Sequence, residues 1–306
     1  MGTDSGRRDR SLVSRVVDRS ITDPASVYRK LFYVTTAVLL FVSLFPFYYL
    51  LVVALTPQGR TTQAGLLPAG FDPSSFVQLF QVLPFHRFML NSLLIAISVT
   101  AFVLVFASFA GYVFGRMEFR GKKPLFLLLI AVSYFPGATF IVGLFRLLTG
   151  NVTVLGITSP NLFNTPAAVG LPLTALALPF AILLLTTFYS QIPDGLEDAA
   201  RVTGSTRIGA LYRIIAPLSA PGLVTAGVLT FITAYNEFFF SQLMTNGAAA
   251  DWSPIVWGLT NYQTQVSVRY DLMAAASLVG VLPVAVLVLL AQKRIVSGLS
   301  SGSLKG

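Results

Sequence analysis

The chain of 306 residues is 55% hydrophobic and only 11% charged, with a mean hydropathy of +0.75, far from the roughly one-quarter charged residues of a soluble domain. It has no cysteine, which excludes disulfides and thiolate metal sites, and a single histidine, His86, leaves little for imidazole chemistry. A net charge of +9 would suit nucleic acid, but once the apolar runs are marked the cations cluster on one side of a membrane, so the composition describes an integral membrane protein.

Residues 1–30 are polar and arginine-rich, without the short apolar core and small-residue cleavage site of a removable signal. They are expected to form a retained cytosolic arm. Within it Leu12, Val13, Val16 and Val17 alternate with Arg15, Asp18 and Arg19, a pattern that suits either a helix at the lipid interface or a disordered segment.

Six runs follow near 31–56, 88–115, 124–147, 166–190, 217–244 and 272–292, each close to the ~20 residues that cross a bilayer. Lys and Arg number seven in the arm, four in 116–123, three in 191–216 and three after the last run (Lys293, Arg294 and Lys305), against Arg60, Arg87, Arg146 and Arg269 on the opposite side. By the positive-inside rule both termini and the 191–216 loop face the cytosol. The expected architecture is an all-α membrane protein of six transmembrane helices, with a six-helix domain over 31–294 and a tail over 295–306.

The outward segments fit this assignment. Residues 57–87 hold a short helix begun by Asp72-Pro73, and 245–271 carries Trp252 and Trp257, as in an interfacial aromatic belt. Asn151-Val152-Thr153 is an outward glycosylation sequon of a kind common by chance. Pro46, Pro136, Pro172, Pro179 and Pro283 lie inside apolar runs, where bundle neighbours must satisfy the freed carbonyls, and Gly111 and Gly115 have the spacing of a close helix contact.

The most charged segment between two apolar runs is Ile192–Ser205. Asp194 and Glu197 have the spacing of a capping box, predicting a helix start. Leu196, Ala199, Ala200 and Thr203 then recur on one face, with Glu197, Asp198 and Arg201 on the other, until Gly204 can turn left-handed and stop the helix. Ser205 or Thr206 can cap a second helix through Ile208, Leu211, Tyr212 and Ile215, ahead of Pro217 and Pro221. The low profile of two adjacent alanines suits another protein's groove. An ordinary helix lying on the membrane surface accounts for the same spacing. In the fifth run Asn236 and Glu237 are candidate pathway residues, because an ionisable group at membrane depth is costly, and Tyr235 and Phe238 add flat aromatic faces beside them. Glu237 bonded to a neighbouring helix, or sitting near the outer water boundary, fits equally well.

At Asp198-Ala199-Ala200-Arg201-Val202-Thr203-Gly204, followed by Ile214-Ile215-Ala216-Pro217, the sequence resembles the E-A-A, three residues, G motif of permease subunits of ATP-binding-cassette (ABC) importers. Asp198 stands where glutamate is commoner and Thr203 where aspartate often precedes the glycine. Ala110-Gly111-Tyr112, Arg116 and Phe119-Arg120-Gly121-Lys122, then Thr233-Ala234-Tyr235-Asn236-Glu237-Phe238, and the ending Gly298-Leu299-Ser300-Ser301-Gly302-Ser303-Leu304-Lys305-Gly306, are similar to the branch importing di- and oligosaccharides, alongside glycerol-phosphate compounds.

The resemblance implies the type I importer permease fold, in the cell membrane, without cofactor, catalytic residue or metal. It implies that Leu196, Glu197, Asp198, Ala199, Ala200 and Gly204 form a coupling helix seated on ABC ATPase subunits. It further implies a second permease, more often a different chain than a copy, and an extracytoplasmic solute-binding protein meeting the 57–87 and 245–271 loops; lipid is the surrounding solvent and nucleic acid has no place. Arg120-Gly121-Lys122-Lys123 lacks the flanking residues of a phosphate loop, so ATP hydrolysis falls to other subunits. A secondary transporter or channel would explain six spans but not the Asp198–Gly204 pattern, and no paired nucleophile and base for an intramembrane enzyme is present.

Overall fold

The computed structural model describes residues 24–263 and 268–301. The amphipathic pattern of the arm and the last tail residues, 302–306, lie outside the described residues. Four helices are long and apolar enough to cross a membrane unbroken: α1 (Pro24–Ala54, apolar from Val27), α3 (Phe85–Arg116), α6 (Pro166–Ser190) and α12 (Tyr270–Ser301, apolar to Lys293). Counting each of two bent pairs as one broken span brings the crossings to six: α4 (Lys122–Ser133) with Gly137–Leu148, whose last eight residues are α5 (Ile141–Leu148), bent by 91°, and α8 (Arg207–Leu218) with α9 (Ala220–Tyr235), bent by 83°.

The third run is therefore not one rod. Pro136 lies at the bend, where a proline pushes its predecessor out of the helical region. Pro46, Pro172, Pro179 and Pro283 stay within continuous helix. The fifth run, expected to continue through residue 244, stops at Tyr235 and resumes as α10 (Phe239–Met244). The last helix runs on to Ser301, so residues 295–301 continue it.

α3 and α6 form the spine. Ile95, Val99, Val103 and Ala107 repeat every four residues along the buried face of α3, and Val169, Leu173, Ile182 and Leu185 bury on α6. Lipid tails are as apolar as leucine, so close packing rather than the hydrophobic effect holds such helices together. Gly111 and Gly115 permit it: a Cβ on Gly111 would stand 3.0 Å from Leu185 Cβ and 3.2 Å from the Thr186 backbone nitrogen, and one on Gly115 3.1 Å from the Thr186 carbonyl. Gly111→Ile is expected to destabilise the fold by about 1–3 kcal/mol, as overpacking does; a thermal unfolding scan in detergent should show a lowered Tm, with Gly121→Ala, where a Cβ meets open space, as the comparison for backbone strain alone.

The outer layer is built from short elements. α2 (Ser75–Val82) follows Asp72, whose Oδ1 accepts from the Ser74 N–H at 3.0 Å. Arg269 donates to Asp271 at 2.8 Å and to Gln78 at 3.0 Å, joining α2 to the start of α12, and Asp271 holds the Arg269 guanidinium above its usual pKa. After α10 the chain folds back on α3: Asn91 Nδ2 donates to the Ala249 and Ser253 carbonyls at 2.8 and 3.0 Å, and the Ile255 N–H at the start of α11 (Ile255–Thr260) donates to Ser92 Oγ at 2.8 Å. Irregular backbone so deep in a bundle is tolerated because its polar groups are paired this way. Trp257 turns inward, edge-on to Phe238 at 6.0 Å and against Gly247, so it packs the fold-back segment; Trp252 is half-buried.

A β-hairpin, β1 (Thr153–Val154) with β2 (Ile157–Thr158), departs from the all-α expectation. Leu155 and Gly156 both take positive φ, 52° and 80°, as a tight hairpin turn requires. Asn151 beside it is exposed.

Candidate functional site

The loop after α6 folds as read from its sequence, with one change of partner. α7 (Asp194–Val202) is a helix, and Gly204 takes φ +91°. The Gly204 N–H donates to the Arg201 carbonyl at 3.0 Å and that of Ser205 to Ala200 at 2.9 Å, the paired bonds of a Schellman stop. Thr206 caps α8, its Oγ1 accepting from the Gly209 N–H at 3.0 Å, and a π-turn over Leu211–Ile215 precedes Pro217.

The expected capping box does not form. Pro193 occupies the cap position with no side-chain bond. Glu197 instead reaches α3, where Oε2 accepts from Arg116 Nε at 3.0 Å and Oε1 from the Tyr112 hydroxyl. Asp194 also turns to Arg116, Oδ1 lying 2.9 Å from Nη1, and Nη1 donates further to the Ile192 carbonyl. A cation holds both carboxylates more strongly than exposed backbone N–H groups would.

No residue of α7 is buried. Asp198 and Ala199 are exposed, Ala200 is half-buried, Leu196 is 45% exposed and Val202 89%. Leu196, Ala199 and Val202 thus leave an apolar and small-residue face of a charged loop uncovered by the chain's own bundle.

The second feature is a cavity of about 690 Å³ between α3, α5, α6, α9 and the Pro136 bend. Its wall is apolar, with Leu173, Leu176 and Phe180 of α6 and Leu229 of α9, and its polar groups are Thr230, Thr233, Asn236 and Glu237. This is the usual volume and character of a small-molecule site. Three of the four residues singled out in the fifth run line it: Asn236, Glu237 and Phe238. Tyr235 turns the other way and is buried, its hydroxyl donating to the Gly280 carbonyl of α12 at 2.9 Å. Glu237 is 8% exposed and accepts from the Phe240 and Ser241 N–H groups at 2.7 and 3.0 Å, capping α10. Asn236 is exposed and donates to the Ile232 carbonyl at 3.0 Å.

Neither Arg116 nor Tyr112 is marked by the sequence as a partner of the α7 loop, although both stand in the Ala110–Lys122 motif. A cation at the very end of an apolar run, four residues after a tyrosine, was the available signal. The cavity wall contributed by Ala138, Leu176 and Ala177 carries no sequence signal.

Up to six apolar crossings, a glycine-stopped surface helix and a cavity walled by the crossing helices are features of a membrane transport protein. Residues 104–300 match the family of binding-protein-dependent transport system inner membrane components, and the chain belongs to it. It is 34% identical to the sulfoquinovosyl glycerol transport system permease protein SmoH of Agrobacterium fabrum, over 90% of this chain and 93% of the relative. With the trehalose/maltose transport system permease protein MalG of Thermococcus litoralis it shares 31% identity over 92% of this chain and 98% of the relative. The fold is that of type I ABC importer permeases: a bacterial ABC transporter involved in the import of the acidic polysaccharide alginate superposes with a TM-score of 0.73 at 17% identity, covering 89% of this chain and 98% of that one.

Proposed function

We propose that this chain is the sugar-conducting permease subunit of an ATP-driven importer, with α7 as its coupling helix and the cavity beside Asn236 and Glu237 as part of the sugar pathway. The substrate class is a glycoside or oligosaccharide, which the names of the relatives support. ATP is hydrolysed by separate subunits seated on Leu196, Asp198, Ala199 and Ala200, and Gly204 ends the helix so that it moves as one body. A second permease completes the pathway, and an extracytoplasmic binding protein delivers the sugar to the outer loops. The basic 116–123 and 191–216 loops support a cytosolic side for α7 and both termini.

The observation that carries this reading is the outward face of α7, whose exposed Val202, Leu196 and Ala199 end at a left-handed glycine. The chain has no cysteine, so Ala199→Cys creates a single thiol. In membranes holding the whole importer it should cross-link to the ATPase subunit, and Leu155→Cys, at the hairpin tip, should not. No adduct from position 199 would refute the docking role. For the substrate, the intact complex in vesicles should hydrolyse ATP faster only when the binding protein and a matching sugar are both added.

A further inference from the structure

We propose that Arg116 is the positioning residue through which movement of α7 reaches the membrane core, the guanidinium acting as a strut between the surface helix and α3. The inference rests on the reading of α7 as the docking helix.

α7 buries none of its own residues, so a well-packed apolar face is not what ties it to the bundle. The Arg116 side chain is 4% exposed, and it meets Glu197, Asp194 and the carbonyl of Ile192 together. These acceptors span the segment entering α7 and its first turn. Tyr112, one turn before Arg116, holds the second oxygen of Glu197. The contributions are unequal: the Asp194 side chain is 89% exposed and screened by water, whereas that of Glu197 is 12% exposed. The Arg116–Glu197 contact is therefore the stiff member, and the planar fork of arginine, which serves several acceptors in fixed directions, is not reproduced by the point charge of lysine.

The far end of the strut leads inward. Arg116 closes α3, the helix that Gly111 and Gly115 lock to α6 and whose Val99 lines the cavity. A displacement of α7 thus arrives at a rigid helix pair bordering the cavity. An ion pair, unlike a greasy contact, also transmits both push and pull without slipping in register.

The test uses the complete importer in proteoliposomes, measuring sugar taken up per ATP hydrolysed. Arg116→Lys and Glu197→Gln should each lower that ratio about tenfold, within the range of a typical coupling free energy between sites, while the subunits still co-purify and a cysteine at Ala199 still cross-links to the ATPase subunit. Arg116→Lys combined with Glu197→Gln should lower the ratio little further than either change alone, the non-additivity of a direct pairing in a double-mutant cycle. A normal ratio in both single variants overturns the proposal, as does loss of co-purification in both, which would make the contact one of assembly alone. Loss of the Ala199 cross-link in the otherwise native chain would instead overturn the docking reading.

Discussion

Gly204→Val should abolish coupled transport while leaving the protein in the membrane at its normal level, and Gly204→Asn should retain most activity. Gly204 takes φ +91°, and a Cβ there would meet nothing within 4 Å. Crowding is thus not the cause; the conformation itself is. Holding a non-glycine residue in the left-handed region costs about 1–3 kcal/mol, most for a β-branched side chain, whereas asparagine tolerates it. The cheapest relief is to unwind the last turn of α7, which releases the bonds from Gly204 to Arg201 and from Ser205 to Ala200. That turn carries Ala199 and Ala200, the residues assigned to the docking cleft, so the strain falls on the contact and not on the buried helices. Uptake and co-purification measured side by side check this: normal uptake by the valine variant would remove the case for a rigid stop at this position.

The parts of this site that were legible in the sequence are those set by neighbours along the chain. Gly204 and Thr206 do what their types dictate within a turn of their own position. The six apolar runs were legible because bilayer thickness imposes length, and the Gly111/Gly115 contact because close helix approach demands small residues at that spacing. What failed was decided across the fold. Asp194 and Glu197 satisfied the pattern of a local cap, but Arg116, 81 residues before Glu197, offered a buried positive charge that a backbone N–H could not match. The proline pattern was ambiguous for the same reason: Pro172 and Pro179 stay in helix between packed neighbours, whereas Pro136 lies at a bend of 91°. The break after Tyr235 carried no glycine or proline to announce it, because its stabiliser is the side chain of Glu237 turned onto α10.

That capping role separates Glu237 from its neighbour. Glu237→Ala should reduce the amount of folded, assembled permease severely, whereas Asn236→Ala should leave assembly normal and lower uptake. The Glu237 carboxylate accepts from the Phe240 and Ser241 N–H groups, and the residue is 8% exposed. Alanine would leave two buried donors unpaired, at roughly 1–3 kcal/mol each, at a break in the membrane where no helical carbonyl can replace the carboxylate. Asn236, one residue earlier, commits its amide to the Ile232 carbonyl of its own helix and is exposed beside the same cavity. Its removal costs the fold little and takes a polar group from the wall that a sugar hydroxyl would meet. Glu237→Gln is the discriminating intermediate: one amide oxygen remains to cap α10, so assembly should recover in part. A carboxylate has about four acceptor positions, and two are used by α10, so the native residue still has capacity to meet sugar hydroxyls. If Glu237→Gln assembles like the native chain and transports normally, one acceptor oxygen suffices for the cap and the charge serves neither role; if it assembles but fails to transport, the free acceptor positions belong to the pathway.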